Sequence, residues 1–117
     1  MEDKHTIDAH GLRYPQDKHG PTRPIPPEEI ALAAKWIAVF VLPATEIRIC
    51  HSSYGLKHMV ESWTANTIGR AYVSNGAFIQ AAVNAGFAPI TDNSLNCFFK
   101  MKWASRAAKS TAYGYRC

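Results

Sequence analysis

Hydrophobic residues recur at helical spacing in three stretches of the chain, and these stretches predict three helices. The first runs from about Pro27 to Val41, the second from about Ser53 to Trp63 and the third from about Asn75 to Ala85. Apolar positions three and four residues apart fall on one helix face, so this period indicates a face that is buried in a core. Pro27 suits a first helical position, and Pro43 ends the first helix.

The first predicted helix is apolar on almost every side. Its hydrophobic side chains leave little polar surface except near Glu28 and Lys35. In so small a protein, such a helix predicts a contact with a partner, for example a homodimer through helix 27–41. The alternative is that the N-terminal segment covers the helix.

The second predicted helix has a clear apolar face and a clear polar face. Its apolar positions are Leu56, Met59, Val60 and Trp63. This spacing places Lys57, His58 and Glu61 on the side that faces solvent.

The third predicted helix carries signals at both of its ends. Ser74 is the expected N-cap, with Val73 and Phe78 spaced as a hydrophobic staple around it. Gly86 followed by Phe87 predicts a Schellman ending. The polar side chains left for its exposed positions are Asn75, Gln80 and Asn84.

Strand signals lie between and after these helices. Thr45 to Cys50 alternates apolar and polar residues and predicts a short strand, and Phe87 to Trp103 predicts a hairpin that turns at residues 92–94. The order is helix, strand, helix, helix and two-stranded hairpin, which is typical of a winged-helix domain. We therefore expect a helix-rich α+β fold with one globular domain over residues 27–103.

Two flanking segments differ in composition from this domain. Residues 1–26 are rich in proline and glycine and poor in large apolar residues, so they predict an extended arm. Residues 104–117 predict a basic C-terminal tail, helical at most over residues 104–108.

The net charge of +4 is unevenly distributed over the 117 residues. The first 29 residues hold six of the nine acidic residues, and no acidic residue follows Asp92. The unopposed basic residues at this end include Lys100, Lys102, Arg106 and Lys109. They favour contact with nucleic acid or an acidic protein surface, although a solvated tail has the same composition.

No catalytic or cofactor motif is recognisable in the sequence. The three cysteines are odd in number and widely spaced, which predicts reduced thiols, and their spacing relative to the histidines matches no standard zinc pattern. We therefore expect no enzyme activity, no cofactor and no metal site. The longest apolar run is too short for a membrane span, and the polar N-terminus predicts a cytoplasmic protein.

Two segments resemble a known class of small proteins. The segments are Ser52-Ser-Tyr-Gly-Leu-Lys-His58 and Tyr72-Val-Ser-Asn-Gly-Ala-Phe-Ile-Gln-Ala-Ala-Val-Asn-Ala-Gly-Phe87. Together they resemble the core of proteins encoded by phages and other bacterial mobile elements. The resemblance implies an operon regulator or an inhibitor of host defences of the anti-CRISPR type, and such inhibitors commonly act by stoichiometric binding.

Two functional hypotheses follow for the third helix and its surroundings. In the first, Asn75, Gln80, Asn84, Lys57 and Arg70 contact a host defence protein or nucleoprotein complex in the bacterial cell. In the second, the chain is a winged-helix regulator of duplex DNA, with helix 75–85 in the major groove and Lys100 and Lys102 on the wing. The helix has no basic residue of its own, which favours the protein partner.

Overall fold

The computed structural model describes residues 6–15, 17–91 and 94–111, and within them the chain is an α+β domain. The described part contains four helices: α1 (Pro27–Phe40), α2 (Ser53–Ala65), α3 (Asn75–Asn84) and α4 (Arg106–Thr111). It also contains six short strands: β1 (Thr6–Asp8), β2 (Gly11–Arg13), β3 (Val41–Pro43), β4 (Ile90–Thr91), β5 (Cys97–Phe98) and β6 (Met101–Trp103).

The strands form antiparallel pairs rather than one large sheet. β1 pairs with β2, β3 with β6, and β4 with β5. In the β3–β6 pair Leu42 lies opposite Lys102, so the strand that directly follows α1 is held by the last strand described.

The predicted helices are confirmed because their signals are local. Ser74 caps α3, and its Oγ accepts a hydrogen bond from the Ala77 N–H at 3.1 Å. At the other end Gly86 has a φ of 99°, and the Phe87 N–H donates to the Ala82 carbonyl at 2.9 Å. These two features define the predicted Schellman ending.

Helix α3 lies at the centre of the molecule, between α1, α2 and the N-terminal hairpin. Trp36 of α1 packs edge-on against Phe78 of α3, with 5.8 Å between ring centroids. Phe78 also contacts Phe99, and Trp36 contacts Trp103. Side chains from early, middle and late parts of the chain therefore share one aromatic core.

Helix α1 buries only one of its faces. The buried side chains are Ala33, Trp36, Ile37 and Phe40, whereas Val39 is exposed. The outer face carries small residues and Lys35, so less apolar surface meets solvent than the sequence pattern indicates. The homodimer through residues 27–41 stays a prediction.

The prediction of an extended N-terminal arm is wrong over residues 6–13. These residues form the β1–β2 hairpin, in which Leu12 is 0% exposed and donates its N–H to the Leu95 carbonyl at 2.9 Å. Asp8 and Arg13 form an ion pair at 2.7 Å across the hairpin. The buried Leu12 side chain and hydrogen bonds with Leu95, Asn75 and Gly76 attach this segment to the domain, although its composition is typical of a loop.

One strand prediction is wrong, and the predicted hairpin is confirmed only in part, since β4 and β5 form its antiparallel pair. Residues 45–50 form no strand, because this segment makes only isolated backbone bonds, such as that from the Arg48 N–H to the Met101 carbonyl at 3.3 Å. The predicted second hairpin strand is divided into β5 and β6 by a tight turn, in which the Met101 N–H bonds to the Phe99 carbonyl. Asp92 and Asn93 of the predicted turn lie outside the described residues.

The C-terminal segment is more ordered than predicted, since α4 spans Arg106–Thr111 and buries Ala108. Residues 1–5 of the predicted arm and residues 112–117 of the predicted tail lie outside the described residues. Cys50 is disulfide-bonded, so the prediction of reduced thiols is wrong at that residue, whereas Cys97 is free and buried. Burial raises the pKa of the Cys97 thiol to about 12, which keeps it protonated and unreactive.

Candidate functional site

The polar face predicted for α2 is largely buried. Lys57 and Glu61 are each 4% exposed, so the expectation that both face solvent is wrong, whereas His58 is exposed as expected. The Lys57 Nζ lies 3.2 Å from Glu61 Oε2, one helical turn away on the same face. The connection between α2 and α3 folds back over this face and removes the pair from water.

Two tyrosines hold the ammonium group of Lys57 on its other side. The Nζ lies 4.7 Å from the ring centroid of Tyr72 and 5.2 Å from that of Tyr54. Both distances are within the range of a cation–π interaction. The tyrosines themselves are 64% and 50% exposed, respectively, so each ring contacts Lys57 and still exposes at least half of its surface.

The Glu61 carboxylate fixes the start of α3 relative to α2. It accepts hydrogen bonds from the Val73 N–H at 3.0 Å and from Lys57, and it lies 3.0 Å from His58 Nδ1. Burial disfavours the charged form, but these hydrogen bonds and the Lys57 charge outweigh it, so the pKa of Glu61 is below its ordinary value. Glu61 is therefore an ionised structural anchor.

Asn75 is 7% exposed, so the expectation that it lies on the free face of α3 is wrong. Its Nδ2 donates to the His10 carbonyl and to Asn96 Oδ1, both at 2.9 Å. Its Oδ1 is buried and has no hydrogen-bond partner among the described residues. Asn75 thus joins the N-terminal hairpin to the segment before β5.

Gln80 and Asn84 lie farther along α3 and bond to each other, the Gln80 Nε2 donating to Asn84 Oδ1 at 2.9 Å. Gln80 is half-buried, and Asn84 is exposed. The structure therefore does not bring the three predicted recognition residues together on one open face.

The first turn of α3 is covered by the N-terminal hairpin. The Gly76 N–H donates to the Ala9 carbonyl at 3.2 Å, and a side chain at residue 76 would overlap the Asp8 carbonyl. Seven of the ten residues of α3 are buried. Helix α3 could enter a DNA groove as predicted only if the hairpin moved away.

An open cleft of about 500 Å³ lies beside the start of α3. The N-terminal segment forms one wall and the α2–α3 region forms the other. Its polar and aromatic lining consists of His10, Arg23, Glu29, Tyr54, Lys57, Tyr72, Ser74, Asn75 and Asn96. We refer to it as the tyrosine cleft. It brings together Lys57 and Asn75, two of the predicted partner-binding residues.

The walls of the tyrosine cleft are tied together by polar contacts between distant segments. Glu29 Oε1 accepts a hydrogen bond from the Ser74 N–H at 2.9 Å and so connects α1 to the N-cap of α3. Asp8 Oδ2 accepts the Arg23 N–H at 3.0 Å, which holds the proline-rich segment against the hairpin. The cleft is therefore formed before any ligand is bound.

The remaining predicted contact residues lie outside the cleft lining. Arg70 is exposed on the connection between α2 and α3. Lys100, Lys102 and Arg106 are exposed, and Lys109 is half-buried. Burial and, to a smaller extent, the Lys109 charge lower the pKa of the half-buried His51.

Only some of the residues of this site could be predicted from the sequence. Tyr54 stands three residues before Lys57, so one helix face could have suggested their contact. Glu29 meets Ser74 only because the tertiary fold joins them, and no local pattern indicates the role of Arg23.

Among the residues that the structure describes, no group of three or more histidine, cysteine or acidic side chains is placed to bind a metal ion. None of the described helices combines the length and hydrophobicity needed to cross a lipid bilayer. Comparisons with protein-family models, characterised proteins and solved structures find no match to this chain.

Proposed function

We propose that the protein is a non-enzymatic binding protein that contacts a host protein or nucleoprotein complex through the rim of the tyrosine cleft. The observation that supports this proposal is the arrangement of Tyr54 and Tyr72. Both rings are held by the buried Lys57 ammonium and still expose at least half of their surface. Fixed, exposed aromatic rings lose little conformational entropy on binding and are frequent anchors of protein interfaces.

The connection between α2 and α3 extends this surface. Ile68 is 70% exposed, and Arg70 is exposed close by in the sequence. Tyrosine and arginine are among the types that carry most binding energy in interfaces, and an exposed apolar side chain such as Ile68 adds area that a partner can bury. The resemblance to phage and mobile-element proteins favours a host-defence complex, inhibited by occupancy, as the partner.

Site-specific photo-crosslinking tests this proposal. We expect a crosslinker at residue 72 to capture one host protein in a defined stoichiometric complex, and a crosslinker at Val39 on the outer face of α1 not to do so. Tyr72→Ala and Ile68→Ala should each weaken the purified complex by about tenfold or more, as interface anchors do. Equal capture from both positions, or a complex unaffected by both substitutions, would contradict the proposal.

Contact with duplex DNA is a second candidate function, and the charge of the C-terminal segment favours it. Residues 94–111 contain no acidic residue and expose Lys100, Lys102 and Arg106. Because α3 is covered, this contact would be made to phosphates rather than to base edges. A salt titration with labelled duplex should show steeply salt-dependent binding that K100A/K102A weakens. If the protein does not bind the duplex at low salt, this hypothesis is wrong.

A further inference from the structure

We infer that the tyrosine cleft binds a nucleotide, with the phosphate at Arg23, the base edge at Glu29 and the base ring on an exposed tyrosine. This inference goes beyond the partner contact proposed above because it depends on Arg23 and Glu29 in the walls of the cleft. It concerns a small ligand, which the cleft could bind with or without a protein partner.

The size of the cleft suits such a ligand. Its volume of about 500 Å³ is within the range of sites that bind small molecules and cofactors. The cleft is open on one side, so a ligand can enter without displacing any element. Its walls are fixed by the bonds from Ser74 to Glu29 and from Arg23 to Asp8.

Arg23 and Glu29 bring opposite charges into the lining of the cleft. The Arg23 side chain forms no ion pair or hydrogen bond with any described residue, and Glu29 uses only Oε1, leaving Oε2 without a partner there. An unpaired guanidinium favours a phosphate, which it can bind through two parallel hydrogen bonds. An unpaired carboxylate oxygen favours an N–H donor.

The donor that meets Glu29 should be neutral. The Arg23 guanidinium lines the same cleft and would repel a cationic ligand group, whereas the Lys57 charge is compensated by Glu61. The amino and ring N–H groups of a nucleobase are neutral donors, and guanine presents them side by side on one edge. The Asn96 amide in the lining adds a further group that can bond to a base.

The tyrosines supply the surface for the base ring. The face of Tyr72 that meets Lys57 is occupied, but the side chain is 64% exposed, so its remaining surface is free for stacking. Aromatic side chains stack on every nucleobase because each base has a π-face. The inferred ligand thus uses the aromatic, cationic and acidic parts of the cleft together.

Titration calorimetry on the full chain tests the inference, with GMP, AMP, guanosine and inorganic phosphate as probes. We expect GMP to bind with a Kd below about 1 mM and more tightly than inorganic phosphate. Arg23→Ala should weaken GMP binding about tenfold and leave guanosine binding unchanged, because only the phosphate contact is lost. Glu29→Gln should weaken GMP and guanosine alike. The matched control is Arg48→Ala, an exposed arginine outside the cleft lining.

Several results would overturn the inference. The first is that neither GMP nor AMP binds at about 1 mM, and the second is that inorganic phosphate binds as tightly as GMP. The third is that neither Arg23→Ala nor Glu29→Gln changes the affinity for GMP. Capture of an acidic peptide with no nucleotide binding would overturn it as well. Ile68→Ala separates the two proposals, because Ile68 is not part of the cleft lining and should affect only the protein complex.

Discussion

Lys57 and Glu61 are two opposite charges that have been removed from water on one side of α2. The two charges compensate each other, the two tyrosine rings contact the Lys57 ammonium, and the Val73 N–H donates to the Glu61 carboxylate. Removing one member of such a pair leaves an uncompensated buried charge, which costs more than the pair itself contributes. The stability of the site therefore depends on keeping both charges or neither.

We expect Lys57→Met to lower the free energy of unfolding by about 3 kcal/mol, since methionine keeps the apolar stem but leaves Glu61 unpaired. Urea denaturation measures this change. The double variant K57M/E61Q should recover a large part of the loss, and Lys35→Met on the exposed face of α1 serves as the matched control. Additive losses in the double variant would show that the two charges do not act as a pair.

Protonation of the buried acids predicts the response to pH. Burial opposes ionisation of Asp8, but hydrogen bonds from the Arg23 and His10 N–H groups and the charge of Arg13 outweigh it and lower its pKa. The pKa of Glu61 is also lowered. Unfolding therefore takes up protons, and the stabilisation is complete above the unfolded pKa values of about 4.

This stabilisation should disappear as the pH falls through the lower folded-state pKa values. Urea midpoints measured from about pH 7 to 2 should show Asp8→Asn less stable than the wild type at neutral pH, with the difference shrinking below about pH 4. A difference that stays constant over this range would contradict the assignment.

At the scale of elements, the N-terminal hairpin and α3 are joined by close backbone contact. Gly76 allows this contact, because any side chain there would overlap the Asp8 carbonyl. Gly11 has a φ of 133°, and a side chain there would overlap the Leu95 carbonyl and the Asn75 amide of α3. The hairpin therefore packs on α3 only where two glycines permit it.

We expect Gly76→Ala to destabilise the protein by about 1–3 kcal/mol through overpacking, despite the higher helix propensity of alanine. Hydrogen exchange should show reduced protection in β1 and β2. Gly55→Ala in α2 is the matched control, because a Cβ there comes no closer than 3.3 Å to the His51 side chain. Equal effects of the two substitutions would argue against the role assigned to Gly76.

The elements differ in how far the sequence could predict them. The ends of α3 are encoded by Ser74 and Gly86, which act through neighbouring backbone groups, so both could be predicted. The short strands depend on partners far away in the chain, and alternation at residues 45–50 therefore predicted a strand that does not form. The burial of Lys57 and Asn75 likewise depends on which distant segment covers them, so the tyrosine cleft could not be predicted as a whole.

At the scale of the molecule, the N-terminal segment is part of the core. Leu12 is 0% exposed and belongs to the same hydrophobic cluster as Trp36 and Phe78. We expect Leu12→Ala to lower the free energy of unfolding by about 2–5 kcal/mol, the usual cost of a cavity in a packed core. Leu42→Ala, at a position that is 44% exposed, is the matched control in the same urea experiment. Similar small losses for both variants would mean that the hairpin is not part of the cooperative unit.

The pairing of β3 with β6 affects how the chain can fold during its synthesis. Residues 41–43 leave the ribosome long before residues 101–103, their antiparallel partners. Until that last strand emerges, β3 has an unpaired edge and Trp36 lacks its contact with Trp103. The incomplete chain therefore exposes apolar surface until residues 101–103 are available. Slow elongation should therefore increase its dependence on chaperones.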